Sequence, residues 1–135
     1  MIRVGVTHPI PTEYAERIYK NGKTVFVGKR CLCKVSPGDK FIIYESQGEK
    51  AYTGSGDIKF IGRMKPSIIY HKYGDKLMIT DKELREYAKG KDQMFVIEFE
   101  NFKKFNNPVK PKRFITVAGK YIDKDEYEFI EKNRG

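Results

Sequence analysis

The stretch that most constrains the fold runs from Val35 to Met64: VSPGDKFIIYESQGEKAYTGSGDIKFIGRM. KFIIYES is β-branched and aromatic, the composition of a half-buried strand. Before it, Ser36-Pro37-Gly38-Asp39 reads as a turn, with proline presetting φ and glycine accepting whatever backbone the turn needs. QGEK reverses the chain, and AYTGSGDIKFIGRM returns as a second strand. An antiparallel hairpin is therefore expected at the centre of the molecule. Gly54 and Gly56 interrupt the returning strand, which predicts a sharp bend, as at a barrel corner, or a place where a partner approaches the backbone closely.

The flanking segments fill in around this hairpin. MIRVGVT alternates Ile2, Val4 and Val6 and predicts a short strand that Pro9 and Pro11 break. Thr12 is the expected N-cap of a helix, TEYAERIYKNG, with Tyr14, Ala15 and Ile18 on its apolar face and Asn21-Gly22 as its stop. TVFVGKRCLCKV predicts a strand interrupted at Gly28. Residues 64–79 read as a loop with one short ordered piece. Thr80 and Glu83 stand at capping-box spacing before a helix that closes at Gly90. MFVIEFENF predicts a strand, NNPVKPKR an extended basic connection, FITVAGKYI another strand, and Asp123 the cap of a last helix. Five or six strands adjacent in sequence and three short helices predict an α+β fold, a small, bent, partly open β-barrel flanked by helices. A length of 135 residues predicts one domain, 1–135.

Charge is the second constraint. The net charge is +9, which favours a polyanionic partner, and its distribution matters more than its size. Three windows lack any acid: Glu16 to Asp39, Asp57 to Asp75, and Glu100 to Asp123. They hold sixteen of the 27 basic residues, so the sequence predicts a positive face rather than an evenly mixed surface.

Other chemistry is thin. Cys31 and Cys33, two residues apart on a predicted strand, point to one face and are poorly placed for a disulfide. With no second pair to complete a zinc site, they read as small buried hydrophobes, and no metal or cofactor is expected. His8 and His71 are candidate general bases by residue type but stand isolated, and they read as surface or structural residues. Glu45, beside Tyr44 and Ser46, could read a base edge or pair with Arg63, and an ordinary cross-strand pair is the favoured reading. No membrane-length apolar run or signal peptide is present, so a cytoplasmic location and no membrane partner are expected.

YAERIYKNGKTVFV, VSPGDKFIIYES, AYTGSGDIKFIG and MFVIEFENFKKFNNPVKPKRF, in this order, resemble the PUA-like superfamily and in particular its ASCH and EVE branches. The resemblance spans about residues 12 to 130 and is nearest to the archaeal DUF365-type proteins. It implies a small, partly open β-barrel with flanking helices that binds RNA or modified bases. ASCH domains commonly carry G-x-K-x-x-E-x-R after the first helix. Here Lys23 keeps the lysine, Gly22 falls one place late, and Phe26 and Gly28 stand where the acid and arginine would be. Hydrolytic ASCH members use that lysine with a hydroxyl three residues later. Phe26 cannot be a nucleophile, which leaves Thr24 as the one nearby hydroxyl.

The leading expectation is a non-catalytic nucleic-acid-binding module, for RNA before DNA, that takes an unstacked or modified base into a basic cleft. Cations for phosphate and flat faces for bases are its requirements. The residues expected to supply them are Lys23, Thr24, Lys29, Arg30, Tyr44, Ser46, Arg63, Lys65 and Tyr70. No recognition helix for duplex DNA is evident, since each predicted helix carries several acids. Two rivals stay open: a small amidohydrolase acting on a modified nucleoside, and a protein-interaction domain with a charged surface.

Overall fold

The computed structural model describes residues 2–30, 32, 34–113, 115 and 119–135. Cys31 and Cys33, and most of the segment FITVA, lie outside the described residues. The described chain folds as α+β, with a six-stranded mixed sheet and four α-helices. The order across the sheet is β2 (Val25–Gly28), β5 (Met94–Val109), β4 (Ala51–Met64), β3 (Lys40–Glu45), β1 (Arg3–Ile10) and β6 (Lys120–Asp123).

The expected hairpin is the middle of this sheet. β3 and β4 pair antiparallel from Lys40↔Asp57 to Glu45↔Ala51. The turn before it has Gly38 at φ 96°, and Asp39 Oδ2 accepts from the Ser36 amide at 2.8 Å. β4 and β5 then form a long antiparallel ladder whose register shifts at Tyr52/Gly54, Ser55/Asp57 and Ile58/Phe60. Such bulges bend and twist a sheet locally. What comes close to Gly54 is the chain itself: a Cβ there would collide with the Tyr19 hydroxyl and the Lys103 carbonyl. Tyr19 in turn shares a 2.7 Å hydrogen bond with Thr53.

Pairing between sequence neighbours does not extend to the first strand. β1 lies parallel to β3 (Gly5↔Lys40 to Ile10↔Glu45) and antiparallel to β6, so both ends of the chain meet at one side of the sheet. Helix α1 (Thr12–Asn21) carries the chain from β1 across to β2 at the far edge, where β2 pairs with β5. Its stop is the expected one, with Gly22 at φ 66° and the Gly22 and Lys23 amides donating to Ile18 and Arg17 carbonyls. Its start differs, because Pro11 is the capping residue and makes no side-chain cap bond, while Thr12 is already helical.

Helix α2 (Pro66–Tyr73) and a one-turn 3-10 helix (Gly74–Lys76) occupy the region read as a loop. α2 buries only Ile69 and Tyr73, so its apolar signal is short. Helix α3 (Asp81–Tyr87) starts with the predicted capping box, and α4 (Lys124–Asn133) with Asp123 accepting from the Glu126 amide. β2 is shorter than the predicted strand, but Val25, Phe26 and Val27 are all buried, so both of its faces are covered. The main core gathers Phe41, Ile43, Phe99, Ile97, Ile18 and Leu84 between sheet and helices; a second cluster under α4 holds Ile42, Tyr52, Phe105 and Ile130.

Candidate base-binding cavity and its cationic border

Where β2 leaves the sheet, its last residues form one wall of a cavity of about 480 Å³. This falls within the range of small-ligand sites, roughly 300–1,000 Å³. β1 contributes His8 and Pro9, β2 contributes Phe26 to Gly28, α1 contributes Tyr14, and the α3 side contributes Met78, Ile79, Glu83 and Tyr87. Lys29 and Arg30 stand on the same lining. Gly28 lets the chain turn there, since a Cβ would press within 3.2 Å of the Phe26 ring and 3.1 Å of the Arg30 carbonyl.

His8 is the polar centre of this lining. It is 3% exposed, and its ring stacks on Phe26 with centroids 5.3 Å apart and planes 21° from parallel. Its Nε2 has no hydrogen-bond partner among the described residues. Burial pushes the imidazole down to about 4, so it is neutral at physiological pH. A buried polar atom without a partner costs free energy, commonly about 1–3 kcal/mol, which a partner would recover.

The neighbouring acid is already engaged. Glu83 Oε1 accepts from Arg17 Nη1 at 2.7 Å and from the Thr80 amide at 2.8 Å, while Oε2 accepts from Arg17 Nη2 and the Tyr14 hydroxyl at 3.2 and 3.3 Å. The Arg17 hydrogen bonds, with the Thr80 amide second, hold its carboxyl down to about 2. Arg17 also donates to the Met78 carbonyl at 2.9 Å. This network fixes α1 against α3 and so fixes the cavity wall.

At the mouth, Lys29 Nζ lies 4.9 Å from the centre of the Tyr87 ring, and the Lys29 amide donates to the Tyr87 hydroxyl at 3.3 Å. Lys29 also borders a second, more open hollow with Arg63, Lys65 and Lys91. The Arg63 guanidinium lies 4.7 Å over the Phe95 ring there, and no ion pair joins it to Glu45. Glu45 is buried near the end of β3 instead.

The expected site residues therefore divide. Lys29 and Arg30 line the cavity; Lys29, Arg63 and Lys65 line the hollow beside it. Lys23 and Tyr70 come together in a different depression, where Lys23 Nζ donates to the Asp75 carbonyl. Thr24 faces another, with Lys59 and Lys76. Tyr44 is 8% exposed, with its ring edge-on to Tyr52, and the Ser46 amide donates to the Ile10 carbonyl; neither lines these hollows. Sequence reasoning missed His8, Tyr87 and Lys91. The cue for Tyr87 was its place at the end of a well-capped helix; His8 had none, because its partner Phe26 lies across a chain crossover.

The sheet, the cavity at its β2 end and the short flanking helices give the class: the chain has the fold of an ASCH domain. It matches the crystal structure of ASCH from Zymomonas mobilis with a TM-score of 0.86 at 15% identity, covering 97% of this chain and 96% of that one. The N-terminal domain of Staphylothermus marinus McrB is more distant in shape, with a TM-score of 0.60 at 14% identity over 98% and 96% of the two chains. Within the class the chain belongs to the DUF365 family, a domain of unknown function, which it matches over residues 3–124. An uncharacterised protein of Methanocaldococcus jannaschii is 36% identical, covering 69% of this chain and 97% of that protein.

Proposed function

We propose that the chain is a nucleic-acid-binding module that holds an unstacked or modified base, of RNA in preference to DNA, in the His8 cavity. One observation carries this reading: an apolar, aromatic-walled cavity with a single unpartnered buried ring nitrogen, bordered by cations and free of an unengaged acid. A base offers the matching chemistry, a flat ring for Phe26, His8 and Tyr87 to enclose and an edge for Nε2 to bond. Its phosphate meets Lys29 and Arg30. The ASCH fold supports the same reading, as a fold that suits capture of a base rather than readout of a duplex groove.

The hydrolytic rival has less support. Among the described residues no serine, threonine or cysteine lines the cavity, and Thr24 lines another hollow. A histidine titrating near 4 is also mismatched to general-base work near neutrality. Purified protein incubated with acetylated cytidine is expected to leave it unchanged by chromatography; turnover would favour the enzyme.

The binding test compares a labelled single-stranded RNA, the same sequence as DNA, and its RNA duplex, by fluorescence anisotropy across a salt series. Tightest binding to single-stranded RNA is expected, with log K falling by about 0.7 per neutralised phosphate for each decade of salt. Equal affinity for the duplex would overturn base capture.

A further inference from the structure

The hollow beside the cavity collects four cations from three parts of the chain: Lys29 after β2, Arg63 and Lys65 at the end of β4, and Lys91 before β5. None of the four has an ion-pair partner among the described residues. The cations that are ion-paired lie elsewhere, among them Arg17 with Glu83, Lys40 with Asp57, Lys59 with Glu98 and Lys120 with Glu126. Asp92 is the one acid on the lining, so the hollow keeps a clear positive excess. Like charges left together without counter-ions repel, and such an arrangement is relieved by an anion from outside.

The hollow is not only a charge cluster. The Arg63 guanidinium carbon lies 4.7 Å from the centre of the Phe95 ring, and a guanidinium is a planar group of the kind on which bases stack. Lys29 borders both this hollow and the His8 cavity, and its ammonium lies over Tyr87 at the junction. Lys29 thus joins the two linings, and Lys65 and Lys91 stand on the second.

We propose that this hollow is a phosphodiester subsite for the nucleotide adjoining the captured base, so that the ligand is a strand and not a free nucleoside. The proposal rests on the base-binding reading for the cavity. Lys65 and Lys91 neutralise the adjoining phosphodiester, and the Arg63–Phe95 pair stacks the neighbouring base.

The test uses the full chain and a labelled single-stranded RNA of mixed sequence, measured by anisotropy between low and moderate salt. Lys65→Gln with Lys91→Gln is expected to weaken binding by about tenfold and to flatten the salt dependence by about 0.7 for each phosphate that is no longer neutralised. Both residues are exposed, so the melting temperature is expected to hold; should it fall, Arg63→Gln alone carries the same test. RNA binding that changes less than about twofold with an unchanged salt slope overturns the subsite. His8→Phe in the same assay separates the two ideas. If the Lys65/Lys91 variant weakens binding and His8→Phe does not, the hollow holds RNA phosphate but base capture, and with it the adjoining-nucleotide assignment, is overturned. If the unaltered protein binds no RNA at low salt, both fall.

Discussion

His8 pairs a structural liability with a chemical opportunity. Its ring is stacked on Phe26 and nearly inaccessible, yet Nε2 has no partner among the described residues. Phenylalanine keeps the ring and removes the orphaned nitrogen, a change that is often neutral or stabilising at such a site. His8→Phe is therefore expected to keep or raise the melting temperature while weakening RNA binding several-fold. A second signature follows from titration. The folded imidazole is held down to about 4, below its ordinary value of 6.5, so between these the unfolded chain binds more protons. Stability then rises with pH from about 4 to 6.5, and His8→Phe is expected to flatten that part of a melting-temperature profile. An unchanged profile would mean that the histidine is solvated. The sequence marked the cations of this site through acid-free windows, but Tyr44 shows the limit of composition: an aromatic beside polar residues on a strand packs inward as readily as outward.

Among the elements, α3 was the most legible, because a capping box is a local rule that needs no knowledge of tertiary structure. Its role was not legible. Glu83 serves both the cap and the Arg17 bridge to α1, so one residue starts a helix and fixes the cavity wall. Thr80→Ala is expected to cost about 1 kcal/mol through removal of the cap, readable as a lower denaturant midpoint. The Glu83 carboxyl sits well below its ordinary value, so its contribution is complete above about pH 4.5 and is lost as pH falls toward 2. Glu83→Gln is expected to reduce the acid sensitivity of unfolding in that window; equal sensitivity would place the acid response elsewhere. The central hairpin was also readable, through alternation and turn residues, whereas the parallel β1–β3 pairing was not. Parallel strands are joined by a long crossover, and no local signal states which strand they will meet.

Over the whole molecule, the +9 charge forecasts attraction to polyanions without saying where they dock. The first two acid-free windows supply Lys29, Arg63 and Lys65, which meet beside the cavity. The third behaves differently. Lys104 lies over Tyr19, Lys112 over Phe129, Lys110 reaches the Glu49 carbonyl, and Lys120 is paired with Glu126. None of these lines the cavity or the hollow beside it. A strand held at specific subsites and a strand attracted by overall charge therefore respond differently to the same charge change in two places. Lys29→Gln with Arg30→Gln removes both cations that meet the captured base's phosphate, and the salt slope for single-stranded RNA is expected to flatten by about 0.7 for that one phosphate. Lys103→Gln with Lys104→Gln removes the same charge elsewhere, and is expected to slow association slightly while leaving the slope in place. Anisotropy titrations at several salt concentrations, with association rates by stopped flow, make the comparison. Equal slope changes for the two pairs would show that the positive field as a whole, and not the cavity and its border, holds the RNA.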